Sequence, residues 1–246
     1  MEATVAVILA AGQGTRMKSD LPKVLHAIDG RPMVSYVIDT VRAVGVDRIL
    51  AVIGYQAERV RGAVDDPSVE FVLQVEQLGT GHAVVQCEPA LNGFSGTVVV
   101  LSGDVPGLRA ETLRSFIDHH RRRGAAATVM TARVADPTGY GRIVRSDDDT
   151  LSRIVEHKDA DPAVLAIDEI NAGLYCFENA PLFEALRRTD RENAQNEYYL
   201  TDVVEELKTQ GLVVEAYCVE DEREVAGVNT VAELDAMRAF MLGDER

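Results

Sequence analysis

Val5-Ala6-Val7-Ile8-Leu9-Ala10-Ala11-Gly12-Gln13-Gly14-Thr15-Arg16-Met17-Lys18 is the stretch that decides the fold. A run of β-branched and aliphatic residues breaks into a glycine-rich turn, the pattern of a buried strand that delivers a loop to the carboxyl edge of an α/β sheet, where such sheets bind ligands. Two glycines let the backbone approach a phosphate closely. The dinucleotide fingerprint asks for a third glycine at position 17, where Met17 stands, and the P-loop asks for Gly-Lys-Ser/Thr, which is absent, so both standard nucleotide motifs are rejected. Arg16 and then Pro22-Lys23 instead set two cations around the loop's N–H donors. A guanidinium grips phosphate oxygens bidentately and an ammonium acts as a mobile point charge, so the arrangement suits a triphosphate. The plainer reading, a surface turn with incidental basic residues, loses ground because these cations stand in an otherwise acidic chain.

Outward from this loop, residues 5–9, 49–53, 71–73 and 98–101 read as buried strands. Amphipathic stretches fall between them: Pro32 opens one, with Val34, Val37, Ile38 and Val41 at helical spacing, and another covers residues 110–123. This alternation marks a parallel sheet covered by helices on both faces. From Ala125 the rhythm changes to consecutive strands at 128–134, 143–145, 151–156 and 170–177, separated by turn signals such as Asp147-Asp148-Asp149. Helices return at 181–188 and 200–210, followed by a strand at 213–219 and a last helix at 231–242. With no Pro-, Gly- or Ser-rich linker and no internal repeat, the expectation is one α/β unit with two lobes, the second a β-rich lobe inserted beside the parallel sheet.

A chain of 246 residues that is 46% apolar can bury a sizeable core. Twenty-five Lys and Arg against 40 Asp and Glu give a net charge of -15, which repels polyanions, so nucleic acid and anionic membrane are not expected partners. No segment approaches the roughly 18 apolar residues that span a bilayer, and no basic stretch followed by a long apolar run opens the chain; a cytoplasmic protein is expected. Cys87, Cys176 and Cys218 are widely spaced in apolar surroundings and read as buried thiols. Arg121-Arg122-Arg123 reads as a solvated helix C-terminus. His119-His120 lacks the i, i+4 spacing of a metal site and reads as an exposed helix face.

Residues 9–17, followed by Leu21-Pro22-Lys23-Val24-Leu25, resemble the signature of sugar-1-phosphate nucleotidyltransferases, in particular the uridyltransferase domain of the bacterial N-acetylglucosamine-1-phosphate uridyltransferases. Four further segments match in order: Gln74-Val75-Glu76-Gln77-Leu78-Gly79-Thr80-Gly81-His82-Ala83; Ser102-Gly103-Asp104-Val105-Pro106; residues 136–142 with 155–159; and Asn171-Ala172-Gly173 with residues 193–202. The match covers nearly the whole chain. The resemblance implies a Rossmann-like mixed or parallel sheet flanked by helices, which binds nucleotide, joined to a β-rich lobe that binds sugar. It also implies roles. Leu9, Ala10, Gly12 and Gly14 would line the nucleotide with backbone groups, and Arg16 and Lys23 would hold the triphosphate as the catalytic cations. Gln74, Gln77, Gly79 and Thr80 would surround uracil and ribose; Gly141, Glu156, Asn171, Tyr199 and Thr201 would contact the sugar; Asp104 and Asn229 would carry Mg2+.

Asp104 follows a buried strand, so its carboxylate reaches the crevice at the sheet's carboxyl edge, and magnesium takes one or two protein oxygens besides water and phosphate. The competing readings are a turn cap before Pro106 for Asp104 and the N-cap of the last helix for Asn229, where the family commonly continues Asn-Asn-Arg and this chain has Asn229-Thr230-Val231. Glu156 and Asn171 end and begin strands and either face a sugar or lie on a strand surface. His82 reads as structural, and of Tyr198-Tyr199 one ring should bury. The implied reaction is in-line attack of a sugar 1-phosphate oxygen on the α-phosphorus of UTP, with pyrophosphate leaving; it needs no nucleophilic Ser or Cys. The expected division is a nucleotidyltransferase domain over 1–229 and a C-terminal helix over 230–246. The family's bifunctional members continue into a left-handed β-helix with acetyltransferase activity; this sequence stops at Arg246, and no acetyl transfer is expected of it. Ser102 stands where some members have Tyr. Three alternatives stay open: another sugar 1-phosphate or nucleotide, a cytidylyltransferase of the isoprenoid type, and a silent nucleotide-sugar sensor. Oligomeric state is open as well.

Overall fold

The computed structural model describes residues 2–243. Its first strand, β1 (Thr4–Ala10), is apolar because both of its faces are covered; Val5, Ala6, Val7 and Ile8 are fully buried. A small hairpin, β2 (Ala27–Ile28) and β3 (Arg31–Pro32), leads to α1 (Met33–Val44) and β4 (Arg48–Ile53). Next come α2 (Ala57–Val64), β5 (Val69–Leu73), α3 (Thr80–Val85), β6 (Thr97–Ser102) and α4 (Ala110–Arg123). The second half holds β7 (Ala127–Arg133), β8 (Arg142–Arg145), β9 (Leu151–Val155), α5 (Pro162–Leu165), β10 (Glu169–Glu178), α6 (Asn179–Leu186), α7 (Asp202–Thr209), β11 (Val214–Cys218) and α8 (Val231–Gly243). The last residues of the expected C-terminal segment, 244–246, lie outside the described residues.

The main sheet runs in the order β11-β7-β10-β6-β1-β4-β5, with β8 added on β10 and β9 on β8. β6, β1, β4 and β5 are mutually parallel, and β10 lies antiparallel to both β6 and β7. Leu9 pairs with Ser102, Ala10 with Ile53 and Ile53 with Leu73, so the carboxyl ends of the parallel strands finish level. The mixed α/β architecture expected from the sequence is present. The second half differs from the expectation in one respect: β7, β10 and β11 extend the same sheet, and only β8 and β9 stand off its path.

Alternation along β1 divides the core. Ala6, Ile8 and Ala10 face α1 and α4, while Val5 and Val7 face α3, α6 and α7. A third cluster anchors the glycine-rich loop. Met17 buries beside Met33, Val228, Leu234 and Met237, so α8 clamps the loop from outside the sheet. Cutting such a buried Met to Ala costs about 2–5 kcal/mol. That explains why a methionine stands where a dinucleotide fingerprint would have glycine.

Two expectations are corrected here. His120 is buried, because Leu113, Phe116, Ile117 and His120 form one helical stripe on α4; its ring meets Thr128 Oγ1 at 2.8 Å and Glu178 Oε1 at 3.3 Å. Cys218 is exposed at the end of the outermost strand β11, unlike Cys87 and Cys176. The basic cluster does end α4, yet Arg121 is tied to Glu2 O and Thr4 Oγ1 (both 2.6 Å) and Arg123 to Glu215. No helix among the described residues is long and apolar enough to cross a membrane.

Candidate active site

A cavity of about 290 Å³ opens where β1, β5 and β6 end. Leu9, Ala10, Gly12, Lys23, Gln74, Gln77, Gly79, Thr80 and Asp104 line it, together with Ser102, the departure from the family pattern noted above, and Glu197, to which no role was assigned from sequence. A larger cavity of about 430 Å³ lies at the opposite end of β1, near Val46, Asp47 and Arg114. Volume alone therefore does not mark the site; converging polar groups do.

The two glycines of the loop act differently. A Cβ on Gly12 would meet no protein atom, so the space beside it belongs to the cavity. Gly14 has φ +70, and a Cβ there would come within 2.5 Å of Lys23 Cβ; it lets the chain close under Lys23 and does not line the cavity.

At the rim, five side chains meet. The Lys23 ammonium pairs with Asp104 Oδ2 and donates to Asn229 Oδ1 at 2.9 Å. Arg16 Nη2 donates to the same Asn229 oxygen at 2.7 Å, and Ser102 Oγ donates to Asp104 Oδ1 at 2.5 Å. Asp104 is 5% exposed and Arg16 is exposed, so the cluster runs from the cavity floor to solvent. Asn229 is not the cap of α8. Thr230 Oγ1 accepts from Glu233 N (3.2 Å) while Glu233 Oε2 accepts from Thr230 N (3.0 Å), a reciprocal capping box that leaves the Asn229 carboxamide oxygen to the cations. Ser102 had a signal in sequence: a hydroxyl two residues before a carboxylate at a strand end.

Gln74 continues from β5, its N–H bonded to Ile53 O at 2.8 Å, and Gln77 Nε2 folds back onto Gln74 O at 3.1 Å. Gly79 adopts φ 115, ψ 175, a region essentially restricted to glycine. The segment then pairs with the second half of the chain: Tyr198 N donates to Leu78 O and Gly81 N to Tyr198 O, both at 2.8 Å, and Leu200 N donates to Thr80 Oγ1 at 3.1 Å. These bonds join the cavity to the remaining residues of interest.

There, Gly141 lies against Glu156, whose carboxylate oxygens are 3.5 Å from where a Cβ would stand, and Thr201 Oγ1 donates to Glu156 Oε1 at 3.2 Å. Burial raises the Glu156 pKa; Thr201 opposes this, and Asp159 and Glu197 add to it. Tyr199 is the buried ring of its pair, its hydroxyl 3.3 Å from Asp159 and its pKa pushed up to about 12, first by burial. Asp202 is raised to about 6 by burial and then by Asp190, Glu156, Glu205 and Asp159. Asn171 is committed locally: Nδ2 donates to Tyr175 Oη at 2.7 Å and Oδ1 accepts from Gly173 N at 3.0 Å, across the register shift in β10. Among the described residues no group of three or more His, Cys, Asp or Glu is placed to hold a metal ion. The donor pair at the rim is one carboxylate with one carboxamide.

The chain is 53% identical over 224 residues to the "Bifunctional protein GlmU" of Halalkalibacterium halodurans, covering 91% of this chain and 49% of that protein. It is 47% identical over 241 residues to the protein of the same name from Enterococcus faecalis, covering 98% and 52%. The chain thus spans about half the length of the curated relatives it matches. A solved structure of UDP-glucose pyrophosphorylase complexed with UDP-glucose superposes with TM-score 0.78 at 19% identity, covering 99% of this chain and all of that one. A putative glucose-1-phosphate thymidylyltransferase from Bacillus anthracis superposes with TM-score 0.77, also at 19% identity, over 97% and 95%. These two likenesses establish the fold. The family model described as nucleotidyl transferase matches residues 5–225, from the first strand through the segment that leads to Asn229, and the chain belongs to that family.

Proposed function

We propose that the chain transfers the UMP portion of UTP to N-acetylglucosamine 1-phosphate, giving UDP-N-acetylglucosamine and pyrophosphate. The observation that carries this reading is the meeting of Lys23, Arg16, Asp104 and Asn229 at the rim of a cavity walled by the glycine loop and Gln74 to Thr80. Relatives about half identical to this chain bear the name of a bifunctional protein, and the motif resemblance supplies the uridine and N-acetylglucosamine assignments.

The residues fit a magnesium ion. Asp104 Oδ2 and Asn229 Oδ1 already converge on one cation, the Lys23 ammonium, and two hard oxygens leave room for the waters and phosphate oxygens magnesium prefers. Bound by these two side chains, the ion would neutralise charge on the triphosphate. Lys23 and Arg16 then bind phosphate oxygens and hold the α-phosphorus in line with its attacker. The loop N–H groups around Gly12 add fixed donors to the charge developing on the bridging oxygen. The sugar phosphate enters largely ionised, since the second pKa of a phosphate monoester is about 6, so no general base is required.

Glu156, Thr201, Asp159 and Tyr199 present acceptors and hydroxyls to the sugar. Their negative charge also turns the phosphate away from that end and toward the cations. The proposed location is the cytoplasm, where nucleoside triphosphates are held. The test is pyrophosphate release with UTP, CTP, ATP and dTTP against N-acetylglucosamine, glucosamine and glucose 1-phosphates, with and without magnesium. Release with UTP and the acetamido sugar is expected. Preference for another pair would move the specificity, and no release with any pair would leave a binding protein.

A further inference from the structure

Arg142 is a covered cation, 1% exposed, and among the described residues it forms no salt bridge. Nη1 donates to the Tyr140 carbonyl oxygen, Nη2 meets His157 Nδ1 at 3.4 Å, and the N–H of Nε is buried without a partner. A guanidinium can only donate, so His157 Nδ1 supplies a lone pair and the imidazole proton sits on Nε2. Burial lowers the guanidinium pKa, and the charge of Asp136 opposes this without pairing. A cation kept from water with so few acceptors adds little to stability, and an apolar side chain of similar length would serve the core as well. Its place in the sheet is more informative. Arg142 opens β8 and is in register with Val155 of β9 and Ile170 of β10. Gly141 precedes it, Glu156 follows Val155 and Asn171 follows Ile170, so the three strands that carry the expected sugar contacts come together at this residue. Asn171 N donates to Gly141 O at 2.9 Å, and a Cβ on Gly141 would stand 3.5 Å from both Glu156 carboxylate oxygens. The two residues that the guanidinium grips, Tyr140 and His157, are the chain neighbours of Gly141 and Glu156.

We propose that Arg142 is a positioning residue for the sugar 1-phosphate: by holding the Tyr140 carbonyl and the His157 ring with one planar guanidinium, it fixes the spacing between Gly141 and Glu156. The rigid fork ties two strand ends that no other side chain in this row joins by hydrogen bonds, and hydrogen bonds to a sugar weaken steeply when their acceptors shift. Tyr140, Arg142 and His157 do not line the nucleotide cavity, so the effect falls on the sugar end. This inference rests on the sugar-transfer reading of the site. It goes beyond that reading by assigning the geometry of the sugar end to a covered side chain that does not itself touch the ligand.

The experiment compares the wild type, Arg142→Met and Arg142→Lys by KM for N-acetylglucosamine 1-phosphate, by calorimetric affinity for UTP alone, and by Tm. Met keeps the length of the side chain and removes every donor. In Arg142→Met the KM for the sugar phosphate should rise about tenfold or more, the effect of losing one charge-assisted hydrogen bond, while the affinity for UTP stays within about twofold of wild type. Lys keeps the charge and can reach the Tyr140 carbonyl but cannot span to His157 as well, so its KM should fall between the other two. Should Arg142→Met not fold, Arg142→Lys still decides: a raised KM for the sugar phosphate with UTP affinity intact supports the proposal, and a KM equal to that of the wild type overturns it. Equal losses for both substrates in Arg142→Met, tracking a fall in Tm, would mean that the guanidinium serves the fold alone and would overturn it too. A wild type that transfers UMP to no sugar 1-phosphate would overturn the reading of the sugar end itself and this proposal with it.

Discussion

Gly79→Ala perturbs the point where the cavity is joined to the second half of the chain. At φ 115, ψ 175 an alanine is strained by about 1–3 kcal/mol. Its Cβ would also collide with the Tyr198 carbonyl oxygen and stand 2.9 Å from Tyr198 N and 3.0 Å from Glu197 Cβ. Two of these atoms are backbone, so relief requires the 78–81 and 198–200 segments to part. That gives up the two 2.8 Å bonds between Leu78, Tyr198 and Gly81 and loosens the Thr80 to Leu200 bond, each contributing about 1 kcal/mol. Together the destabilisation should be about 4 kcal/mol. Urea unfolding reads it as a lowered midpoint at unchanged m-value, and nucleotide titration reads weaker UTP binding in whatever protein remains folded. A loss below about 1 kcal/mol with UTP binding intact would refute the reasoning, because it would mean that this glycine is neither strained nor crowded.

Gly12→Ala should behave oppositely, with stability within about 0.5 kcal/mol of wild type but KM for UTP raised about tenfold or more, since the added methyl meets only cavity; parallel melting and initial-rate measurements check it. Lys23→Ala should lower kcat about 100-fold and, without magnesium, destabilise the protein by about 3 kcal/mol by leaving Asp104 buried and unpaired. Magnesium should then raise the Tm of this variant more than that of the wild type. Asp202 has its folded pKa raised from 3.8 to about 6, so its contribution to stability is fully present below about pH 4 and is lost as pH rises through 6. Asp202→Asn should remove that part of the pH dependence and gain about 1 kcal/mol at pH 7 after discounting for solvent screening, measured by unfolding at pH 4 and 7.

What sequence reveals here is what lies close along the chain. The apolar run into Gly12 and Gly14 announces β1 and its loop because both signals are local, and the level strand ends then carry Gly12, Gln74 and Asp104 to one edge. The joining of β7, β10 and β11 to the first sheet is a matter of long-range pairing that strand periodicity does not encode. α2 escapes notice because Val60 is its one buried residue, too little for a period. His120 was legible: the spacing 113, 116, 117, 120 is a helical face, and reading the two histidines as a pair obscured it. The candidate site residues were named from motifs. That Lys23 turns toward Asp104, 81 residues away, or that Asn171 is spent on Tyr175, depends on tertiary packing.

The most direct test of the central claim follows the phosphorus atoms. The protein is incubated with magnesium, N-acetylglucosamine 1-phosphate and UTP labelled either at the α- or at the γ-phosphate. Nucleotidyl transfer passes the α-label into UDP-N-acetylglucosamine while the γ-label leaves in pyrophosphate. Transfer of the γ-label to the sugar phosphate, or no labelled product from either UTP, would contradict it.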